Sequence, residues 1–174
     1  IVSKPAYILS TEPSPRNVSI GPGWGKDEKD IQFISQISDE IEDIKFKSLK
    51  EGFDEVRFEI DYKGNFNRCN EIIEIYKLNK EGLEIDDIAK GEIKVFKVQI
   101  PLLETDGETY SKIEIGRNFF VVKYKNHKYI VKCIEPENVS ASIEKFSASN
   151  RNGVYKIGCF TIKNKHIKYK INME

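Results

Sequence analysis

Residues 119–134 read FFVVKYKNHKYIVKCI, and residues 155–171 read YKIGCFTIKNKHIKYKI. Each is a β-branched and aromatic run that breaks at a Lys-Asn-rich tip and resumes as a second alternating run, the pattern of a β-hairpin. With Asn126-His127 as a two-residue turn, Tyr124 opposes Tyr129, Val122 opposes Val131 and Phe120 opposes Cys133, giving one apolar face. The other face carries Val121, Lys123, Lys125, Lys128, Ile130 and Lys132. In the second hairpin Ile162, Ile167, Tyr169 and Ile171 supply the apolar positions, and Lys163, Lys165, Lys168 and Lys170 the charge. The tips hold both histidines of the protein, His127 and His166, each flanked by lysines that disfavour the imidazolium form.

Charge is polarised along the chain around this feature. Residues 1–109 carry 15 Lys and Arg against 23 Asp and Glu, a net of −8, and residues 110–174 carry 13 against 5, a net of +8. The formal total of zero conceals that asymmetry. Two explanations compete: a charged partner met by the basic half, or neutralisation of one half by the other inside the molecule. Like charges facing each other across strands cost up to about 1 kcal/mol per pair. A lysine-studded sheet therefore faces open solvent, abuts the acidic half, or meets a polyanion.

The length of 174 residues suits one domain of ordinary size or two small ones. Composition is that of a globular chain, and no segment approaches the ~18 uninterrupted apolar residues of a membrane span. Heavy use of Ile and Lys with little Ala reads as the codon bias of an AT-rich, bacterial genome. Without an initiator Met or a signal-peptide layout, the chain reads as an excised domain. Cys69, Cys133 and Cys159 are odd in number and far apart, which predicts reduced, buried thiols in a cytoplasmic protein.

Residues 1–25, with Pro5, Pro13, Pro15, Pro22 and three glycines, read as an extended arm with one short strand at Ala6–Leu9. Residues 26–174 read as a single α+β domain, its basic pair of hairpins occupying about 116–174. Ile31, Ile34, Ile37, Ile41 and Ile44 recur at three- and four-residue steps, predicting one amphipathic helix capped by Asp27, with Asp39, Glu40, Glu42 and Asp43 on its exposed face. Thereafter the period is two. Segments 56–62, 72–78, 92–100 and 112–115 read as strands, and 136–149 as a loop or helical turn. The expected fold is β-rich α+β: a mainly antiparallel twisted sheet or open barrel with one helix near the N-terminus.

Most catalytic patterns are missing. Gly21 to Lys26 departs from the phosphate-cradling G-x-x-x-x-G-K-[ST] spacing, and Asp27 would repel a phosphate, so Trp24 is expected to pin this loop to the body. No H-E-x-x-H, G-x-S-x-G or paired Cys/His spacing occurs, and no cofactor is expected. Glu92-Ile93-Lys94 with Asp61 matches the acidic and (D/E)-x-K elements of PD-(D/E)xK nucleases, which use Mg²⁺. The chain holds four (D/E)-x-K matches, and about four are expected by chance at this composition.

Sequence thus favours a non-catalytic module that binds DNA or RNA, with Lys123, Lys125, Lys128, Lys132, Lys163, Lys165, Lys168 and Lys170 on phosphates. Tyr124, Tyr129 and Tyr169 would stack on bases if exposed. Arg117 and Arg151 are the only arginines of the basic region, few for base-specific readout. The alternatives are a module docking its basic end on an acidic protein partner, and the Mg²⁺-dependent nuclease.

Overall fold

The computed structural model describes residues 20–150 and 153–174. The described residues form thirteen strands, β1 to β13 in chain order, in two antiparallel sheets. The small sheet runs β11 (Ser140–Asn150), β12 (Gly153–Ile162), β7 (Val95–Thr105), β1 (Gly21–Gly25), β2 (Gln32–Phe33). The large sheet runs β3 (Ile41–Glu51), β4 (Glu55–Phe66), β5 (Cys69–Asn79), β6 (Gly82–Gly91), β13 (His166–Met173), β10 (His127–Glu135), β9 (Phe119–Tyr124), β8 (Lys112–Ile115).

The sheets pack face to face because alternate residues of nearly every strand are apolar. From the small sheet Trp24, Phe96, Val98 and Phe160 point inward; from the large one come Ile72, Ile85, Phe120, Val131, Ile167 and Tyr169. Phe120 and Phe160 meet across the interface with ring centroids 5.0 Å apart, and Phe160 and Tyr169 at 6.4 Å. Two carboxyls share this interior. Glu74 on β5 lies directly opposite Asp87 on β6, each 0 % exposed, and the Tyr76 hydroxyl donates to Glu74 at 2.7 Å.

The helix expected from the isoleucine spacing is absent, and the fold is all-β rather than α+β. Ile34 sits in a 3-10 turn at Ile34–Gln36, a second such turn covers Ser38–Glu40, and Ile41 opens β3. Burial follows these elements: Ile34 and Ile37 are buried, whereas Ile44 is 56 % exposed. The five isoleucines therefore do not share one face. Isoleucine is stiff at χ1 and a mediocre helix former, and β4 offers the segment from Ile41 onward a full strand partner.

The expected second hairpin is also absent. β12 and β13 join different sheets, β12 between β11 and β7, β13 between β6 and β10. Residues 163–165 carry the chain across, held where the Ala89 amide donates to the Lys165 carbonyl at 2.8 Å. The first hairpin does form, as β9 and β10. Its turn is Lys125-Asn126, with Lys125 at φ 53, so Tyr124 opposes His127 and Phe120 opposes Val131. That register differs by two residues from the expected one. A two-residue slip changes partners but preserves faces, so the apolar face was assigned correctly.

Segments 56–62, 72–78 and 112–115 are strands as expected, while 92–100 becomes strand only from Val95. Segment 136–149 contributes β11 instead of a loop or helical turn. Residues 1–19 of the expected arm, including Ala6–Leu9, lie outside the described residues. Gly21–Gly25 at its end is a fully buried strand, with Trp24 at 0 % exposure.

Candidate functional site

At one end of the sandwich the sheets part around a cleft of about 410 Å³. Its walls come from the β5–β6 turn, from Pro101 and Leu103 of β7, and from Tyr129, Tyr155 and Met173. The turn is built by Asn79, whose side-chain oxygen accepts from the Glu81 amide at 2.9 Å, and by Gly82 at φ 129. A side chain at Gly82 would meet the Ile171 carbonyl oxygen at 2.2 Å, so the turn needs glycine to close against β13. Tyr129 spans the two sheets, its hydroxyl accepting from the Leu103 amide at 2.9 Å, and burial pushes its phenol up to about 12. Lys80 and Glu81 stand at the rim, and Glu81 pairs with Lys170 at 3.1 Å. The cleft thus offers an apolar, tyrosine-bearing wall with polar groups at its mouth, a layout suited to a small ligand of mixed polarity.

A second surface lies at the β3 edge of the large sheet, where nearly every residue of the strand is exposed. There Ile44 and Phe46 stand 56 % and 67 % exposed. Phe46 packs on Phe58 with centroids 5.6 Å apart, and Phe58 stacks on Tyr76 at 4.9 Å, so an aromatic row runs from the rim into the core.

The sequence-selected lysines do not gather. The first tip, Lys125-Asn126, lies beside the end of β13, where the Lys128 amide donates to the Glu174 carbonyl at 3.0 Å. Lys163 and Lys165 lie at the start of β13, a strand's length away on the opposite end of the sandwich. Several are matched with carboxylates, mostly of the acidic half: Lys123 with Glu114 at 3.0 Å, Lys125 with Asp106 at 3.1 Å, Lys168 with Glu84 at 3.1 Å. Lys128 reaches Glu174, Lys170 reaches Glu81, and the Lys165 ammonium donates to the Gly91 carbonyl. Lys132 opposes Lys170 across β10–β13, and Lys163 lines a shallow pocket with Glu28. His166 contacts Asp86 at 2.6 Å. The polarised charge thus meets across strand pairs, above all β6 against β13, as internal neutralisation requires.

The three tyrosines point the other way. Tyr169 is buried, Tyr129 holds Leu103, and the half-buried Tyr124 donates its hydroxyl to Asp106. Asp106 is held well below the usual carboxylate range, first by that hydroxyl, then by the Thr109 and Glu108 amides and by Lys125. Asp61 and Glu92 do not form a nuclease centre. Asp61 lies on β4, whereas Glu92 and Lys94 belong to the crossing from β6 to β7 in the other sheet. Among the described residues no three His, Cys, Asp or Glu side chains are placed to hold a metal ion, and no helix is long and apolar enough to cross a membrane.

Cys69, Cys133 and Cys159 are free and buried, and burial raises all three thiols, Cys133 to about 11 and Cys159 to about 12. The cleft residues Asn79, Lys80, Glu81 and Tyr155 escaped the sequence reading. Their only local signal was the Asn-Lys-Glu-Gly turn at 79–82, which marks a hairpin and not a site.

No protein-family model matches the sequence, and no curated protein matches it. In structure the chain is similar to part of an alpha-N-acetylgalactosaminidase from Bifidobacterium bifidum, with a TM-score of 0.61 at 10 % identity over 92 % of this chain and 32 % of that one. It is also similar to part of the heparan sulfate lyase HepC from Pedobacter heparinus, with a TM-score of 0.56 at 15 % identity over 74 % of this chain and 22 % of that one. A heparinase III matches with a TM-score of 0.56 at 14 % identity, over 76 % and 21 %. The chain therefore spans about a fifth to a third of the length of the proteins it matches. What it shares with them is a β-sandwich. The nucleic-acid-binding expectation is overturned by this fold likeness, together with the dispersal and pairing of the lysines, and the nuclease alternative by the separation of Asp61 from Glu92 and Lys94.

Proposed function

We propose that this chain is a β-sandwich module of a carbohydrate-processing protein and that it contacts a glycan at the cleft between its sheets. The observation that carries the reading is the fold likeness, which covers most of this chain and falls on parts of a heparan sulfate lyase and an alpha-N-acetylgalactosaminidase. The cleft supports it. Tyr155 and Pro101 offer apolar surface on which the C–H face of a pyranose can lie, while Asn79, Lys80 and Glu81 offer hydrogen bonds to hydroxyls at the rim. Hydrolysis of a glycosidic bond ordinarily takes two carboxyls flanking it, and among the described residues Glu81 is the single carboxylate lining this cleft. The module's role is therefore binding, with bond cleavage assigned elsewhere.

Calorimetric titration with heparan sulfate oligosaccharides and with neutral N-acetylgalactosamine-bearing glycans tests the reading. Binding is expected for at least one class, weakened about tenfold by Tyr155→Ala with the unfolding midpoint little changed. Absence of heat with every glycan at millimolar concentration, or affinity indifferent to Tyr155→Ala and Lys80→Ala alike, would reject it.

A further inference from the structure

Among the described residues the edge strand β3 is paired on one side only, with β4, and along its eleven residues it presents a row of backbone donors and acceptors to that open side. Its sequence, IEDIKFKSLKE over 41–51, is acidic first and basic afterwards: Glu42 and Asp43, then Lys45, Lys47 and Lys50. Between bulges near Glu42 and Leu49 the strand is regular over residues 43–48. Within that stretch Ile44 and Phe46 share the inner face with Tyr62 and Ile60, while Asp43, Lys45 and Lys47 share the outer face with Lys63, Asp61 and Glu59. A strand with this polarity complements a copy of itself running the other way.

We propose that β3 is a self-association edge at which two copies of this chain pair antiparallel about Lys45, joining their large sheets into one. This register sets Asp43 opposite Lys47 twice on the outer face and Ile44 opposite Phe46 twice on the inner face. It thereby covers the most exposed apolar side chains of the strand. Neighbouring registers do worse. Centring on Ile44 pairs Asp43 with Lys45 twice but sets Phe46 against Glu42, so the exposed ring meets a carboxylate. A one-residue slip sets Ile44 against Lys47, mixing the faces. Centring on Phe46 sets Lys45 against Lys47 twice. The chosen register leaves one like-charge contact, Lys45 with its copy, and each Lys45 has its own Asp43 at 3.5 Å and Asp61 opposite on β4. A parallel arrangement in register sets every lysine against a lysine.

Sedimentation velocity over a concentration series, with three variants, tests this pairing. The wild-type chain is expected to dimerise. Asp43→Lys should weaken the dimer about tenfold or more, and Asp43→Lys with Lys47→Asp should restore it to within about threefold. Both positions are solvent-facing, and far-UV circular dichroism checks that the sheets persist. Lys45→Cys should give a covalent dimer on mild oxidation, since the two positions lie opposite at disulfide distance, whereas Lys47→Cys should not. The three native thiols are buried and do not interfere. A monomer at all concentrations, a dimer indifferent to Asp43→Lys, or equal cross-linking from Lys45→Cys and Lys47→Cys would overturn the proposal.

Discussion

Asp106 shows how one hydroxyl sets a local charge. Its carboxylate caps the turn after β7 by accepting the Glu108 and Thr109 amides, and it also receives the Tyr124 hydroxyl and Lys125. Every one of these donors favours the ionised form, so its folded-state pKa lies below the ordinary 3.8. A depressed carboxylate contributes stability that is present above its unfolded pKa and lost as pH falls below it. The contribution of Asp106 is therefore full above about pH 3.8 and fades as the pH falls from there toward the depressed folded-state value, where protonation releases the turn. Tyr124→Phe removes the largest contribution, so the Asp106 titration followed by carboxyl NMR should move up toward the ordinary value. An unmoved titration would show that the amides, and not the phenol, hold the charge.

At the scale of the element, Gly91 ends β6 at φ 141, and a Cβ there would lie 2.2 Å from the Arg68 carbonyl oxygen. Neither the backbone angle nor that backbone oxygen yields cheaply. Gly91→Ala should cost about 1–3 kcal/mol, read from denaturant unfolding of the single, fully buried Trp24. The same element explains a limit of sequence reading. β6 was overlooked because its inward positions run Leu83, Ile85, Asp87, Ala89, and a buried carboxylate breaks the apolar alternation. β4, β9 and β10 were legible because their inward positions are almost uniformly apolar, and β5 was legible despite its buried Glu74 because Ile73 and Ile75 add β-branched residues on its other face. The false helix arose differently. Isoleucines from a 3-10 turn, a linker and a strand happened to fall at helical steps, and spacing alone cannot reveal that the backbone changes conformation between them.

For the whole molecule, period-two patterning says which residues face inward but not which sheet a strand enters. That is why the run over 155–171 read as a hairpin when its halves belong to opposite sheets. It is also why the cleft stayed hidden, since it depends on bringing residues 79–82, 101–103, 129 and 155 to one end of the sandwich. The topology has a consequence for folding. β13, the last strand in the chain, is central, paired with β6 on one side and β10 on the other. It carries Ile167 and Tyr169 into the core and sets Lys168 and Lys170 against Glu84 and Glu81. Without it, β6 and β10 become two new edges facing a gap, and the large sheet divides into a four-stranded and a three-stranded piece. Deleting residues 166–174 should therefore abolish cooperative unfolding rather than lower its midpoint by a few degrees. Buried Trp24 fluorescence and near-UV circular dichroism would show the loss together. A truncated chain that still unfolds in one sharp transition would mean that the two pieces pair without β13, and that the strand order described above is not what holds the sandwich closed.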